Sequence, residues 1–99
     1  MKLGRIVGTV VSTQKDSKTQ GLRFYVVRDV NIDLSSKESF VIAADSVGAG
    51  VGELVLYASG SSARQTNATN NRPVDAAIMA IVDQIDIAGD LIFDKQKEG

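Results

Sequence analysis

Short apolar segments rich in β-branched residues recur along the whole chain, and polar clusters separate them. Six such segments stand out, at residues 3–11, 22–30, 40–44, 54–58, 78–87 and 91–93. β-Branched side chains fit a pleated, half-buried surface, and most of these segments are too short for an ordinary helix. A regular succession of short strands is typical of small all-β proteins. The sequence therefore predicts an all-β barrel or sandwich.

The segment at residues 22–27 shows the clearest strand alternation. It places three side chains on each face, Leu22, Phe24 and Val26 on one and Arg23, Tyr25 and Val27 on the other. Successive side chains of a strand point to opposite faces, so one of these sets faces a core. The strand is expected to have an inner face and a partly apolar outer face.

Residues 75–80 fit two kinds of secondary structure. Asp75 is a good helix N-cap, and the alanines and methionine that follow it are good helix formers. The isoleucines and the valine between positions 81 and 87 are β-branched, however, which favours a strand. We predict a strand that begins at about Ile78.

Two predicted strands, at residues 54–58 and 78–82, are apolar on both faces. A strand of an isolated barrel normally carries polar side chains on its outer face. A chain of 99 residues buries little surface by itself, so a neighbouring subunit is expected to cover the second face. The alternative is cover by the chain's own loops or by a short helix.

The composition limits the chemistry that the chain can perform. Its 99 residues suffice for one domain, and they include no Cys, His or Trp. Disulfides, thiol nucleophiles, serine–histidine triads and the usual transition-metal sites are therefore excluded, which leaves carboxylates, lysines, hydroxyls and backbone groups for any catalytic, metal or cofactor-binding role. Lys and Arg total 11 against 12 Asp and Glu, so the basic excess typical of nucleic-acid binding is missing.

The N-terminal residues show no signal-peptide pattern, because Arg5 and two glycines interrupt the apolar stretch. No segment of the chain approaches the roughly 18 consecutive apolar residues of a membrane-spanning helix. We therefore expect a cytoplasmic protein without a membrane partner.

Residues 48–53, Gly-Ala-Gly-Val-Gly-Glu, suggest at first a nucleotide-binding loop. Their spacing is G-x-G-x-G before a strand, whereas a dinucleotide site needs G-x-G-x-x-G before a helix and a phosphate loop ends in Gly-Lys-Ser/Thr. Glycine also permits positive φ angles and the close approach of backbones. We interpret these glycines as parts of a crowded junction between subunits.

The hydroxyls of Ser61 and Ser62 precede Arg64, but the sequence offers no general base to activate them. Ser61 is expected to cap a short helical turn. Arg64 is expected to reach a carbonyl or carboxylate, either locally or across an interface, and the alternative is a simple exposed position.

Two other groups of residues suggest different functions. Four carboxylates near the C-terminal end could bind a hard metal ion: Asp83, Asp86, Asp90 and Asp94. Asp83 and Asp86 would point to opposite faces of one strand, however, so the four do not converge. Five aromatic residues could stack on single-stranded nucleic acid: Phe24, Tyr25, Phe40, Tyr57 and Phe93. An OB-type nucleic-acid-binding module and a small carboxylate-dependent enzyme are the alternatives to an assembly protein.

Three stretches together carry a resemblance to a known family. They are residues 45–64, DSVGAGVGELVLYASGSSAR, then Pro73-Val74-Asp75, and then Ile81-Val82-Asp83. In these stretches the chain resembles the vertex proteins of bacterial microcompartment shells, which include the carboxysome and ethanolamine-utilisation vertex proteins. The resemblance implies a small closed or partly open OB-like β-barrel with one or two short helical turns, one of them near residues 74–77.

The resemblance also implies a structural function without enzymatic activity or cofactors. Five copies would form a homopentamer that caps the five-fold vertices of a shell in the bacterial cytoplasm, with hexameric shell proteins as partners. It places two groups of residues at the subunit interface or pore: Gly48, Ala49, Gly50, Gly52 and Glu53 in the first, and Ser61, Ser62, Ala63 and Arg64 in the second.

The chain is expected to divide into one barrel domain at residues 1–94 and a flexible, frayed tail at residues 95–99. The polar segment at residues 64–73 carries no family motif and is expected to be the most mobile loop. No residue of the chain reports which chemistry the shell would enclose.

Overall fold

The computed structural model describes residues 1–12, 22–60 and 75–98. Within these ranges the chain forms seven strands and one short helix. The strands are β1 (Lys2–Val10), β2 (Phe24–Val30), β3 (Ser36–Asp45), β4 (Leu54–Ser59), β5 (Ala76–Ile81), β6 (Gln84–Ile87) and β7 (Asp90–Asp94), and the helix is α1 (Lys95–Glu98). The predicted all-β class is confirmed.

Five of the strands close into a barrel in the order β1-β2-β3-β5-β4. Strand β1 closes it, because β1 pairs antiparallel with β2 on one side and with β4 on the other. Strands β3 and β5 pair in parallel, and the remaining neighbours pair antiparallel. Each barrel strand is therefore paired on both sides, which is the closed form of the predicted barrel.

The side chains that fill the barrel come from all five of its strands and from the loop after β3. They are Ile6, Tyr25, Val27, Ala43, Ala49, Val55, Tyr57, Ala76 and Ile78. In β2 the inner face carries Tyr25 and Val27, whereas Phe24 and Val26 lie on the outer face and are half-buried. The structure thus decides which of the two alternating faces is the core face.

Strands β6 and β7 form a separate antiparallel hairpin after the barrel. Ala88 and Gly89 form its two-residue turn, with φ angles of 52° and 86°. Positive φ at both turn residues gives the backbone twist that suits a tight hairpin. The apolar segment at residues 78–87 is therefore divided between two strands, since β5 ends at Ile81 and the chain then leaves the barrel.

Strand β3 begins at Ser36, four residues before the predicted start at Phe40. The polar segment at residues 31–39 was expected to be a loop, but only its first five residues form a turn. The carboxylate of Asp33 stabilises that turn by accepting hydrogen bonds from the backbone N–H and the hydroxyl of Ser35. Polar residues can extend this strand because they are exposed there.

Strand β5 confirms the preference for a strand over a helix after Asp75, although it begins at Ala76 and not at Ile78. Ala76 pairs with Ser59, and Ala77 pairs with both Ala44 and Ala58. Pairing on both sides of the strand outweighs the helix propensity of alanine. The helical turn expected near residues 74–77 is absent at 76–77, and residue 74 lies outside the described residues.

The chain itself covers the second face of β4 at Leu54. Leu54 is buried against Val30 and Phe93, and Val82 and Ile85 also pack on this small cluster. The hairpin base therefore supplies the cover that was expected from a neighbouring subunit. At this position the alternative, cover by the same chain, is correct.

Residues Lys95–Glu98 form a helical turn where a frayed tail was expected. Two ion pairs hold this turn to the barrel, Arg5 to Glu98 at 3.2 Å and Lys95 to Glu53 at 2.7 Å. Each pair joins groups far apart in the sequence, which a reading of local propensity does not detect. The division into a domain at residues 1–94 and a flexible tail stays a prediction.

Gly4 lies where β1 passes closest to the side chains inside the barrel. A Cβ atom on Gly4 would lie 2.4 Å from Cγ1 of Val27, 3.0 Å from the carbonyl oxygen of Arg28 and 3.5 Å from Cε1 of Tyr57. Val27 is fully buried and β-branched, so it has little freedom to move away. Glycine is therefore required at this position by space.

The Tyr57 ring packs beside Gly4 and reaches a carboxylate on β2. The Tyr57 hydroxyl donates a hydrogen bond to Oδ1 of Asp29, and the Ser39 hydroxyl donates to Oδ2 at 2.6 Å. Burial alone would raise the pKa of Asp29, but these hydrogen bonds and the charges of Lys2 and Lys37 lower it below the ordinary value. Burial and the Asp29 carboxylate raise the pKa of Tyr57 far above its usual range.

We predict that Gly4→Ala destabilises the fold by about 1–3 kcal/mol, because the new methyl group overpacks a rigid site. Gly8→Ala is the matched control on the same strand, since its Cβ would lie 4.0 Å from the nearest atoms of Val26. Urea unfolding at one fixed protomer concentration measures both variants. Equal losses of stability in the two variants would contradict the conclusion that a lack of space requires glycine at position 4.

We predict that Tyr57→Phe costs about 1–3 kcal/mol at neutral pH, because the Asp29 carboxylate loses a donor. Since the pKa of Asp29 is lowered in the folded state, its contribution is complete above the ordinary aspartate pKa of 3.8 and is lost as the pH falls below it. The stability difference between the wild type and Tyr57→Phe should therefore stay constant from neutral pH down to about pH 5 and shrink as the pH falls below 3.8, which denaturant unfolding at a series of pH values measures.

Tyr25→Phe is the control for this pH dependence, because the Tyr25 hydroxyl donates to the neutral carbonyl of Ala49. Its stability difference from the wild type should stay constant over the same pH range. If the difference for Tyr57→Phe were constant as well, the pKa of Asp29 would not depend on the hydrogen bond from Tyr57.

Candidate functional site

The glycine-rich segment forms the loop at residues 46–53, which joins β3 to β4. Gly48 and Gly52 adopt φ angles of 78° and 95°, which residues with a side chain rarely adopt. A Cβ atom at either position would meet nothing within 4 Å, so backbone conformation and not space requires these two glycines. The loop can therefore turn twice within five residues.

Asp45, the last residue of β3, organises the first half of the loop. One of its carboxylate oxygens, Oδ1, accepts hydrogen bonds from the backbone N–H groups of Val47, Gly48 and Ala49 at 3.0, 3.1 and 3.2 Å. A carboxylate bonded in this way stabilises a tight turn of the backbone. Three N–H groups that an external anion would need are thus already occupied within the chain.

Tyr25 holds the loop from inside the barrel. Its hydroxyl donates a hydrogen bond of 2.8 Å to the carbonyl oxygen of Ala49, and the side chain of Ala49 is buried with the core. The bond is buried, so its loss would leave two polar groups without partners in an apolar interior. Ala49 therefore belongs to the barrel core as well as to the loop.

Glu53 and Arg5 hold the second half of the loop. Glu53 Oε1 accepts from the backbone N–H of Gly50 at 2.8 Å, and Arg5 Nη1 donates to the carbonyl oxygen of Gly52 at 3.0 Å. The backbone of Ile6 adds two bonds, from Gly52 N at 2.8 Å and to the Glu53 carbonyl at 3.0 Å. The loop is thus fixed at both of its ends.

The Glu53 carboxylate also links the loop to α1. Its hydrogen bond from Lys95 lowers the pKa of Glu53, burial opposes this shift, and the Gly50 N–H adds to the lowering. The same hydrogen bond raises the pKa of Lys95. Both groups are therefore held in their charged forms at neutral pH, and the glycine-rich loop and the C-terminal turn form one connected unit.

The structure brings together the first group of predicted interface residues, Gly48, Ala49, Gly50, Gly52 and Glu53, on one loop. The second group, Ser61, Ser62, Ala63 and Arg64, lies outside the described residues, as do the predicted cap at Ser61 and the loop at residues 64–73. The role of both groups at an interface or pore stays a prediction.

Sequence reasoning missed the side chains that fix the loop. Asp45 could have been found, because an aspartate directly before Ser-Val-Gly is a common signal for a carboxylate-capped turn. Tyr25, Arg5 and Lys95 act from distant parts of the chain, so no local pattern marks them.

The aromatic residues do not form the exposed platform that nucleic-acid stacking needs. Tyr25, Tyr57 and Phe93 are buried in the two apolar clusters, and Phe24 is half-buried, which leaves Phe40 as a single exposed ring with the Arg28 guanidinium over it. Among the described residues, no three carboxylates lie close enough together to hold a metal ion. The described helix is far too short and polar to span a membrane.

Comparison with known proteins identifies the family. The family described as "Ethanolamine utilisation protein EutN/carboxysome" matches residues 1–83. The chain belongs to this EutN/carboxysome family. The match includes all five barrel strands and the glycine-rich loop, and it ends directly before β6. The resemblance noted in the sequence is therefore confirmed.

Members of the family with vertex roles are similar over nearly the full chain. The carboxysome shell vertex protein CcmL of Synechococcus elongatus is 40% identical over 97 residues, which cover 98% of this chain and 98% of CcmL. The bacterial microcompartment shell vertex protein PduN of Salmonella typhimurium is 45% identical over 89 residues, covering 86% of this chain and 98% of PduN.

A solved structure adds the assembly state of one family member. The structure of GrpN, a pentameric microcompartment shell protein from Rhodospirillum rubrum, matches this fold with a TM-score of 0.81 and 40% identity. The match covers 89% of this chain and 100% of the GrpN chain. The EutN/carboxysome barrel of this chain is thus shared with a protein that forms pentamers.

We predict that Asp45→Ala loosens the loop and lowers the stability by about 1–3 kcal/mol, because three N–H groups lose their acceptor. Amide hydrogen exchange of residues 47–49 and urea unfolding measure the two effects. Asp45→Asn is the control, since its side-chain oxygen can still accept hydrogen bonds, and it should retain most of the protection. Unchanged exchange in Asp45→Ala would contradict the role of this carboxylate.

Proposed function

We propose that five copies of this chain form a ring that caps the five-fold vertices of a bacterial microcompartment shell. The observation that carries this proposal is the similarity of the fold to GrpN, a pentameric shell protein, across 89% of this chain. The vertex roles of CcmL and PduN support it. The vertex role is thus shared by a relative named for the carboxysome and by one named for bacterial microcompartments in general.

Geometry explains what such a ring contributes. A sheet of hexagonal tiles is flat, and it closes into a polyhedral shell only when pentagons occupy the corners. A ring of five copies therefore supplies curvature and closure, and the hexameric shell proteins around it are its partners. This role is structural, and it needs neither an active site nor a cofactor. The ring would act in the bacterial cytoplasm, within the shell.

We place the glycine-rich loop at the subunit contacts or around the central opening of this ring. Three features support the placement. The loop is fixed by Asp45, Tyr25 and Glu53, so little conformational entropy is lost when a neighbour binds. Val47 and Val51 are exposed on it and offer apolar contact area. Glycine also allows neighbouring backbones to approach closely around a symmetry axis, and three glycines lie on this loop.

We place residues 61–64 at the junction between neighbouring subunits, on the strength of the family resemblance of their sequence. The fork of N–H donors on Arg64 suits a carboxylate or carbonyl group of the next subunit. Arg64→Lys keeps the charge but loses this fork, so it distinguishes a bidentate contact from a simple charge effect.

We predict a pentamer in native mass spectrometry at neutral pH and moderate salt. Its mass should be five times the subunit mass of 10.5 kDa, or 52.5 kDa. A stable monomer at every protomer concentration would contradict the ring.

In cells, deletion of the gene should give shells that are open, elongated or leaky. Closed, impermeable and normally shaped compartments in the deletion strain would contradict the vertex role.

A further inference from the structure

The β6–β7 hairpin projects from the barrel and exposes apolar side chains near its turn. Ile85 and Phe93 anchor its base in the cluster around Leu54. Towards the turn, Ile87 and Leu91 remain 41% and 43% exposed. A two-stranded hairpin is only marginally stable in water unless another surface packs on it. This distal part, residues Asp86, Ile87, Asp90 and Leu91, is called the hairpin tip below.

The hairpin tip is also acidic. Residues 82–94 contain four aspartates and neither Lys nor Arg. Two of the aspartates, Asp86 and Asp90, lie beside the exposed apolar side chains, because Asp86 pairs with Leu91 and Asp90 pairs with Ile87 across the hairpin. The partner that suits this tip is an apolar surface with a cation.

A surface of that kind lies on the outer side of β2 and β3. Val26 pairs with Ile42, and Arg28 pairs with Phe40. Phe40 and Ile42 are 55% and 49% exposed. Gly8 pairs with Val26 on the other side, so no side chain from β1 covers this position. These four residues, Val26, Arg28, Phe40 and Ile42, are called the β2–β3 face below.

The cation of this face is held in position without a carboxylate partner. Arg28 Nε donates to the carbonyl oxygen of Lys37 at 2.8 Å, and the guanidinium lies over the Phe40 ring at 5.3 Å from its centre. Among the described residues no carboxylate pairs with Arg28, although Glu38 flanks the face on β3. A fixed, unpaired guanidinium suits bidentate contact with a carboxylate from another molecule.

We infer that the hairpin tip of one subunit docks on the β2–β3 face of the next copy of this chain in the ring. Asp86 and Leu91 pair across the hairpin and so share one of its faces; on that face Asp86 meets Arg28, and Leu91 packs against Ile42 and Val26. The inference rests on the proposed function, because it assumes a ring of identical subunits. It adds to the contacts proposed for the glycine-rich loop.

The symmetry of a ring supports this choice of partner. In a ring of five, each subunit meets its two neighbours through two different surfaces, and these surfaces must be complementary. The tip and the face are both apolar, and they carry opposite charges. They also share no residue, since the hairpin base packs beside Leu3, Val30 and Leu54, whereas the face consists of Val26, Arg28, Phe40 and Ile42.

Disulfide cross-linking tests the contact directly, because the natural chain contains no cysteine. The double variant Ile42→Cys/Leu91→Cys should form covalent species up to five subunits under oxidising conditions, seen by non-reducing electrophoresis. Each single variant should give no such ladder, because position 42 of one subunit meets position 91 of the next, and a single cysteine therefore has no cysteine opposite it. Ile42→Cys/Gln96→Cys is the matched control, with the second cysteine on exposed α1, and it should give no ladder.

A charge exchange supplies the second measurement. Arg28→Glu alone and Asp86→Lys/Asp90→Lys alone should each raise the protomer concentration for half assembly at least about tenfold, because like charges then meet. The three substitutions combined in one chain should restore assembly. Circular dichroism and the unfolding midpoint verify that every variant is folded.

The outcomes separate this contact from the ring itself. A ladder together with restored assembly supports the inference. The contact would be overturned, and the ring left intact, by three results together. The wild type is a pentamer, the double-cysteine variant gives no ladder, and the charge variants assemble as readily as the wild type. Efficient dimers of Ile42→Cys alone would also overturn it, since the face would then meet a second copy of itself. A monomeric wild type would contradict the ring and the contact together.

Discussion

The close approach of β1 to the barrel interior at Gly4 is the constraint on which the rest of the structure depends. Only a residue without a side chain lets β1 pass beside Val27 and pair with both β2 and β4. The Tyr57 ring, whose hydroxyl donates to Asp29, packs beside the same position. Closure of the barrel at β1 therefore depends on one missing methyl group.

Closure of the barrel also fixes the candidate assembly loop. Arg5 follows Gly4 directly and donates to Gly52, while the backbone of Ile6 bonds to both Gly52 and Glu53. Glu53 in turn binds Lys95, and Arg5 binds Glu98. These contacts connect the first strand, the glycine-rich loop and the C-terminal turn. A subunit that must meet its neighbours at a fixed angle benefits from such preorganisation.

Patterns in the sequence predicted the class of fold and the importance of the glycine-rich loop, because strand alternation and glycine spacing are local signals. They could not predict that residues 78–87 divide at Val82, because the division depends on contacts with Leu54 and Phe93. The same limit applies to the C-terminal turn, whose ion pairs join Arg5 and Glu53 to residues more than forty positions away. Propensity alone also favoured a helix at Ala76 and Ala77, where pairing on both sides of β5 stabilises a strand.

The topology of closure bears on the order of events during folding. The pair that closes the barrel joins Lys2 to Tyr57, which are 57 − 2 = 55 residues apart. Contacts of such long sequence separation form slowly, because the entropy of a long loop is lost before the contact is gained. The chain must therefore be synthesised through β4 before its first strand has both partners. Since Arg5 reaches Gly52 only after that step, the glycine-rich loop is fixed late in folding, and the surface proposed for assembly is complete only in a chain whose barrel has closed.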